Sequence, residues 1–230
     1  NYEVRGELTG FQTSVRTGIL LTVERNAVVD LTMSVGSISE VVTVTGEAAL
    51  VDTTTSDMSG LVTSQQIADL PVAGRNVLRL ALLEGGVLER IGQTATSNSL
   101  IGGFGTQLTI AGARAHQNAF LLDGARVNNY NGYGPGSLAR VQLGQDSVRE
   151  FKVLTSNFSA EHGNAAGGVI SWVTKSGSND IRGTAFWSHR DDRFDANNFI
   201  TNSRGKGKSP FTRNQFGGSV GGPIVKDRTF

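Results

Sequence analysis

"EFKVLTSNFSAEHGNAAGGVISWVTKSG", residues 150–177, is the stretch that decides the fold of this chain. Its runs "EFKVLTS" and "VISWVT" are rich in the branched and aromatic residues that strands favour. The pair Gly167 and Gly168 stands just before the second run, and "QDSV", residues 145–148, predicts a short turn of helix before the first. Strands and short helices mixed in this way predict an α+β domain.

Two further helices are predicted upstream. "TSQQIADLP", residues 63–71, begins with a Ser/Thr cap and must stop before Pro71, which predicts a short helix. "GRNVLRLALLEGG", residues 74–86, predicts the best α-helix of the chain, because strong apolar helix formers dominate it and Gly85 follows as a C-terminal cap. Since only Arg79 and the end residues are charged, we expect this helix to be largely buried.

Between these segments, "LTIAGARAHQNAFLLDGARVNN", residues 108–129, predicts two or three strands. Asp123 and Gly124 join the last two, and this dipeptide suits a tight hairpin turn in which Gly124 adopts a positive φ. Loops rich in Gly and Asn precede and follow the strands, "TSNSLIGGFGTQ" at 96–107 and "NYNGYGPGS" at 129–137.

The N-terminal residues 1–38 predict a different, all-strand region. The runs "YEVRGEL", "GFQTSV", "GILLTVE" and "AVVDLTMSV" each suit a strand. In the last run, residues 27–35, Val29, Leu31 and Met33 share one face, as in a half-buried antiparallel strand. We expect the second half of a small β-sandwich here.

"SEVVTVTGE", residues 39–47, predicts a strand that has no partner in its neighbourhood. Its branched residues alternate as in a strand, but Gly36 and Gly46 flank it and no hairpin turn lies beside it. "LVDTTTSDMSG", residues 50–60, follows as a Thr/Ser-rich loop or linker. The sequence therefore predicts an unpaired strand that is attached through a flexible linker.

From Ile181 onward the sequence has the pattern of a membrane barrel. "IRGTAFWSH", residues 181–189, alternates between two sets of side chains, and a polar loop of residues 190–210 separates it from "FTRNQFGGSVGG" and a short turn, "PIVKDR". Long loops on one side and short turns on the other are typical of outer-membrane β-barrels. The two alternating sets are Arg182, Thr184, Phe186 and Ser188, and Gly183, Ala185 and Trp187.

The composition of the chain makes some classes of protein function less suitable than others. The chain has 230 residues, of which 30 are glycine and none is cysteine, and its net charge is +1. The 21 basic residues are scattered, so we expect no nucleic acid partner. No apolar run reaches the roughly 18 residues of a membrane-spanning helix. Because the chain starts at Asn1 and stops at the beginning of a strand-like run, we expect both ends to be cuts through a longer protein.

Four stretches in order resemble TonB-dependent outer-membrane receptors, and most of all the Oar-like subgroup, which has a carboxypeptidase-regulatory-like domain in front of the plug. They are "LPVAGRNVLRLALLEGGV", "LTIAGARAHQNAFLLDGARVNN", residues 148–199 and "NQFGGSVGGPIVKDRTF". The resemblance implies an α+β plug domain between the tail of a β-sandwich and the first strands of a transmembrane β-barrel. Its expected bounds are 1–38 for the sandwich tail, 39–49 for the TonB-box-like segment, 50–176 for the plug and 177–230 for barrel strands.

The resemblance also implies a partner for the lone strand. In this family the TonB box is a short periplasmic strand that pairs with an edge strand of TonB, which the inner-membrane complex energises. The alternative is that the strand is the last strand of the front sandwich, and its resting position stays open. The residues expected to bind TonB are Glu40, Val41, Val42, Thr43, Val44 and Thr45.

The implied function is TonB-dependent active transport of a large or scarce substrate across the Gram-negative outer membrane, with lipid around the barrel. A barrel of about 22 strands leaks unless a plug fills it, and Gly163, Gly167 and Gly168 are expected to permit turns close to its wall. The plug loops at 98–107 and 128–136 are weak candidates for facing an oligosaccharide or peptide, against plain loops without a ligand. Their named residues are Gly102, Gly103, Phe104, Asn129, Tyr130 and Tyr133.

Catalytic and metal-binding patterns are weak. His116, His162 and His189 lie in separate segments without ligand spacing, so we expect no zinc site, no cofactor and no enzyme activity. The acidic run around Asp192 is expected to be a solvated loop rather than a calcium site. Arg75 and Arg114 are expected to pair with carboxylates of the same domain, such as Asp123 or Glu150.

Two rival classes stay open at this stage. The first is a surface adhesin or carbohydrate-binding module that never forms a barrel, and the second is an enzyme whose catalytic domain lies outside these residues. One departure from the receptor pattern concerns the substrate: the common plug run ending in "RGP" is here "VLTSN", Val153–Asn157. An iron-siderophore substrate is therefore not carried over.

Overall fold

The computed structural model of the chain describes residues 2–36, 41–45, 56–70, 72, 75–89, 106–128, 132, 134 and 144–230, with the backbone alone at 41–45. The chain divides into two compact units, Asn1–Thr174 and Lys175–Phe230.

A three-stranded sheet forms the N-terminal part of the first unit. Strand β1 is Tyr2–Gly6, β2 is Thr13–Ile19 and β3 is Val41–Thr45. The order is β1-β2-β3, with β1 antiparallel and β3 parallel to β2. The predicted strands at 2–8 and 10–15 are confirmed in position, whereas the strand predicted at 18–24 is wrong, because β2 runs on through Ile19 and the chain leaves the sheet after it.

The strand predicted at residues 27–35 is also wrong, although its two faces are correct. Val29, Leu31 and Met33 are half-buried while the residues between them are exposed, yet the segment forms only one bridge, between Phe11 and Val35. The segment is bonded to β2 through a side chain, because Arg16 Nη1 donates to the Asp30 carbonyl at 3.0 Å. Alternating burial needs only an extended chain on a core, and a strand needs backbone pairing as well.

The prediction that residues 39–47 contain an unpaired strand is wrong. β3 pairs with β2 in register over five residues, from Thr13 opposite Val41 to Thr17 opposite Thr45. A parallel pair requires a crossover connection rather than a hairpin, so the absence of a nearby turn does not exclude a partner within the chain.

In the rest of the first unit, the described residues form seven strands: β4 Met58–Val62, β5 Val87–Glu89, β6 Leu108–Ile110, β7 Ala119–Leu122, β8 Ala125–Arg126, β9 Val148–Ser156 and β10 Val169–Thr174. Five of them form one sheet in the order β4-β9-β10-β7-β8, and β5 and β6 form a separate antiparallel pair. In the large sheet β10 and β7 run parallel and every other pair is antiparallel. The α+β mixture predicted for this region is present.

The hydrophobic core lies against one face of the five-stranded sheet. Phe151 and Val153 of β9 are fully buried there beside Ile170 of β10, and Phe120 stacks on Trp172 with ring centroids 5.8 Å apart. Burial of each such side chain contributes about 1.5–3 kcal/mol to folding. A smaller cluster on Ala119, Leu154 and Val169 is separate from it.

The predicted short helix is confirmed as α1, Ser64–Asp69. Thr63 caps it by accepting from Gln66 N, and the Gln66 side chain accepts from Thr63 N in return, which completes a capping box. Its buried residue, Ile67, packs into the core. Within the described ranges, no helix has the length and apolarity needed to cross a membrane.

The α-helix predicted at 74–86 is wrong in type but correct in burial. Residues Val77–Leu83 form a 3₁₀ helix, which ends at Glu84 rather than at a Gly85 cap, and Gly86 is the glycine with a left-handed φ of 81°. Four of its residues are buried, as expected. They are the two i,i+3 pairs Val77 with Leu80 and Leu78 with Ala81, and three residues per turn place such pairs on one face.

The hairpin turn predicted at Asp123 and Gly124 is confirmed. Leu122 pairs with Ala125 across it, and the two turn residues have φ angles of 48° and 81°. Two positive φ values define the type I′ turn that matches the twist of a hairpin. The Asp123 carboxylate also accepts from Thr174 N and Oγ1, both at 2.9 Å.

The second unit is a long β-hairpin. Strand β11, Arg182–Asp191, and β12, Thr212–Gly221, pair antiparallel over ten residues. The connection, expected to be a plain polar loop, contains a 3₁₀ turn at Asp192–Phe194 and a short helix α2 at Phe199–Ser203. The start of a further strand, expected after "PIVKDR", is not formed; a bridge between Val225 and Thr229 closes a turn there instead.

Candidate functional site

β3 lies at the edge of the three-stranded sheet in the described part of the chain. β2 occupies its inner side through the pairs Ser14 with Val42, Val15 with Thr43 and Arg16 with Val44. In a strand the backbone groups of alternate residues point to opposite sides, so half of the ladder groups of β3 point away from β2. This outer edge can accept another strand. Of the predicted TonB-binding residues, Val41–Thr45 form β3, and Glu40 lies outside the described residues.

β3 leads directly to the five-stranded sheet. Residues 46–57 connect it to β4, which is the edge strand of that sheet and pairs with β9.

A second connection between the two sheets passes through the residues after β2. Val23 N donates to Glu150 Oε1 at 3.0 Å, and Lys152 Nζ donates to the Glu24 carbonyl at 3.0 Å. Glu150 and Lys152 are both on β9, so two bonds hold the segment on the central part of the large sheet. Sequence reasoning missed this contact. The available signal was a charged pair at alternate positions of an otherwise apolar strand.

His162 adjoins the same contact. Its side chain is 9% exposed, and Nε2 lies 3.6 Å from Glu24 Oε2 and 3.7 Å from Glu161 Oε1. A cleft of about 1060 Å³ opens beside these residues, with Arg126 and Asp57 among its lining side chains. Within the described part of the chain, no group of three or more His, Asp or Glu side chains is arranged to hold a metal ion.

The β11–β12 hairpin has one apolar and one polar face. Trp187 pairs with Phe216 on one face, and both are exposed within the unit. On the other face the hydroxyl groups of Thr184 and Ser219 form a 2.8 Å hydrogen bond. Such alternation is the pattern of a transmembrane strand, with lipid on the apolar side and the lumen on the polar side.

The acidic residues at the start of the β11–β12 connection make structural hydrogen bonds. Asp191 accepts from Arg193 N, Asp192 from Phe211 N, and Asp195 from the Arg190 guanidinium. Each carboxylate therefore stabilises the loop.

Arg75 pairs with a carboxylate of the same domain, as expected, although not with either of the two carboxylates given as examples. Arg75 contacts Asp146 at 2.8 Å instead of Asp123 or Glu150, and both members of that pair are about three-quarters buried. Arg114 is exposed. Carboxylates distant in sequence compete for each arginine, so the partner depends on tertiary packing.

Two of the glycines expected to permit turns near a barrel wall, Gly167 and Gly168, make close contacts within the first unit. Gly167 and Gly168 have no positive φ, but a Cβ on Gly168 would lie 2.8 Å from the Leu154 carbonyl and would overlap Ile110. Close packing between β10, β9 and β6 therefore requires glycine there. At Gly163 a Cβ would have ordinary space, with the Ala160 carbonyl 3.5 Å away.

The proposed substrate-facing residues are not part of the described structure. Gly102, Gly103, Phe104, Asn129, Tyr130 and Tyr133 all lie outside the described residues. Their assignment stays a prediction.

Comparison with known proteins gives a match to one family and to one curated protein. Residues 173–230 match the family described as outer membrane beta barrel domain. Over 234 aligned residues the chain is 25% identical to the TonB-dependent transporter Oar of Myxococcus xanthus, covering 99% of this chain and 21% of that protein. The chain therefore spans about a fifth of the length of this curated relative.

Two solved structures are also similar. The outer membrane transporter YddB of Escherichia coli has a TM-score of 0.50 at 20% identity, with 69% of this chain and 23% of that chain covered. The siderophore receptor PirA of Acinetobacter baumannii has a TM-score of 0.49 at 24% identity, with 74% and 22% covered. The YddB likeness supports the fold alone.

Proposed function

We propose that this chain is part of a TonB-dependent receptor of the outer membrane, which carries out TonB-driven transport of a large or scarce substrate; the similarity to Oar and the barrel-family match at residues 173–230 support it. Residues 1–38 supply the tail of the periplasmic front domain, 39–49 the segment that TonB engages, 50–176 the plug and 177–230 the first barrel strands. The apolar face of β11 and β12 contacts outer-membrane lipid. Each part then has a place along one route, from the periplasm through the plug to the membrane.

The observation that carries this proposal is the open edge of β3. A strand at a sheet edge offers a row of backbone donors and acceptors to a strand of another protein, which is β-augmentation. TonB supplies that strand and adds beside β3 as a fourth strand of the sheet. Each ladder hydrogen bond contributes about 1 kcal/mol net. Several such bonds together share a force that is directed along the strand.

The position of β3 in the sequence suits a pulling mechanism. It is joined through residues 46–57 to β4 at the edge of the large sheet. Force on β3 therefore reaches the pairs between β4 and β9 first, where Val62 faces Phe151. Removal of an edge strand opens one side of the plug while β9, β10 and β7 remain paired.

The substrate class that we propose is an oligosaccharide or a peptide. The proposed plug loops combine aromatic Tyr130 and Tyr133 with amide and glycine residues, which suits stacking on sugars and hydrogen bonding to polar chains. Transport of either class by the full-length receptor tests this proposal. Labelled oligosaccharides and peptides should enter cells that express TonB and should fail to enter cells without TonB. Equal entry in both would contradict TonB-driven transport.

A further inference from the structure

β9 presents two different faces. Phe151 and Val153 point into the hydrophobic core, whereas Glu150 and Lys152, two residues apart from one another, point to the opposite side. Residues 20–25, which we name the cover, lie on that opposite side through Val23 and Glu24. An apolar face would make a permanent contact. If the cover leaves β9, water can solvate the charged groups of Glu150 and Lys152.

Two hydrogen bonds from β9 hold the cover, beside the buried side chain of Val23. Lys152 is 8% exposed, and its Nζ donates to the Glu24 carbonyl, while Glu150 Oε1 accepts from Val23 N. The adjacent cleft, of about 1060 Å³, is lined on this side by Thr22, Glu24 and Arg25 of the cover. Water can therefore replace both bonds, and the energetic cost of separating the contact is small compared with that of opening an apolar core.

Glu24 is held in an unfavourable state by this contact. Its φ of 51° is uncommon for a residue with a Cβ, and its buried Oε2 has no hydrogen-bond partner among the described residues. His162 Nε2 lies 3.6 Å away, too far for a hydrogen bond. Strain and an unsatisfied carboxylate oxygen both favour release when force is applied.

The cover is mechanically linked to β3. It begins directly after β2, and β2 pairs with β3 over five residues. A partner that draws on β3 draws on the same sheet, and the bonds of Val23 and Glu24 attach the chain that follows β2 to β9.

We propose that residues 20–25 form a separable cover over β9, positioned by Glu150, Lys152 and His162, and that it must lift from β9 before the plug opens. This inference rests on the proposed function, because the pull on β3 is assigned to TonB. The cover is a conformational device that keeps the plug closed while β3 is not under load.

A reversible lock in the full-length receptor tests the cover. Val23→Cys together with Glu150→Cys is the pair chosen for a disulfide between the cover and β9; loss of both free thiols on oxidation verifies the bond, and these 230 residues contain no cysteine to compete. The oxidised double variant should bind TonB as the parent does and lose at least ten-fold in uptake, and a reductant should restore uptake. Each single-cysteine variant, treated in the same way, is the control.

The outcomes separate the two proposals. If the oxidised double variant transports as fast as the same variant after treatment with reductant, the proposed cover is overturned while TonB-driven transport stands. If the reduced receptor neither binds TonB nor transports, the proposed function itself fails.

A second variant tests the positioning role of Lys152. Lys152→Met keeps the length of the side chain and removes the bond to the Glu24 carbonyl, so amide exchange at residues 20–25 of the full-length receptor should become at least five-fold faster. Exchange in β10 should stay unchanged, which separates release of the cover from general loosening. Unchanged exchange at residues 20–25 would contradict the role given to Lys152.

Discussion

Thr43 of β3 lies opposite Val15 of β2 in a parallel ladder, and the intervening chain crosses from one strand to the other. This pair gives the predicted TonB-box strand a resting place inside its own chain. Among the described residues the strand is paired on one side only. Under the proposed function, TonB adds to an existing sheet edge whose order is already fixed and does not need to find a free peptide.

Proline in β3 should abolish transport. Val42→Pro and Val44→Pro each remove a backbone donor and bend the strand, so we expect the affinity for TonB to fall at least ten-fold, equivalent to the loss of about 1.4 kcal/mol or more. Uptake of the labelled substrate by the full-length receptor and TonB binding in a pull-down are the measurements.

Val42→Thr is the matched control for these prolines. Threonine keeps the backbone N–H and the β-branched shape, so uptake should remain close to that of the parent. Normal uptake by both proline variants would remove Val41–Thr45 from the TonB interface.

The two faces of the β11–β12 hairpin should respond differently to charge. Ala185 is on the same face as Trp187, and Thr184 is on the face of Ser219. Ala185→Arg places a cation in lipid at a cost of about 2–4 kcal/mol near the bilayer midplane, whereas Thr184→Arg points it to the lumen. The folded fraction in outer membranes, measured by heat-modifiable gel mobility, should fall only for Ala185→Arg. Equal loss in both variants would contradict the assignment of faces.

Asn118 should be a stabilising residue of the first unit. It is fully buried, its Nδ2 donates to the Leu108 carbonyl at 2.7 Å, and its Oδ1 accepts from Gly168 N at 3.0 Å. Asn118→Ala leaves both backbone groups unsatisfied, so the opening free energy around β7 should fall by about 2–4 kcal/mol.

Amide exchange of β7 and β10 in the full-length receptor measures this loss. Gln65→Ala, an amide on the exposed surface of α1, is the control and should change the opening free energy by less than about 0.5 kcal/mol. A change below 1 kcal/mol for Asn118→Ala would indicate that water satisfies these groups.

Gly168 should not tolerate a side chain. A Cβ at this position would overlap Ile110 and lie 2.8 Å from the Leu154 carbonyl, whereas at Gly144 it would have no atom of a described residue within 4 Å. We expect Gly168→Ala to destabilise the first unit by about 1–3 kcal/mol and Gly144→Ala to have little effect. Protease resistance of the receptor reports the difference, and equal resistance of the two variants would contradict the close packing.

Features set by neighbouring residues could be predicted from the sequence. The capping box of Thr63 and Gln66 defines where α1 begins, and Asp123 with Gly124 defines a hairpin turn, because in each case the interacting residues are within four positions. The period of burial at 77–83 was also correct. The 3₁₀ form was not, since the choice between three and 3.6 residues per turn depends on which side chains the core accepts.

Features set by distant residues could not be predicted in the same way. The pairing of Thr43 with Val15 is parallel and has no local turn signal, and the bond from Lys152 to the Glu24 carbonyl joins residues 128 positions apart. The candidate site depends on both. Sequence alone placed the strand that TonB is expected to engage and missed the contacts that hold that strand and its sheet in place.

Site-directed cross-linking in cells tests the central claim most directly. Val42→Cys and Val44→Cys, introduced singly into the full-length receptor, are combined with single cysteines along the edge strand of TonB. Strand addition predicts that the best TonB partner shifts by two residues when the receptor cysteine shifts by two. Cross-links without such a register, or none at all, would contradict the claim that TonB engages β3 by backbone pairing.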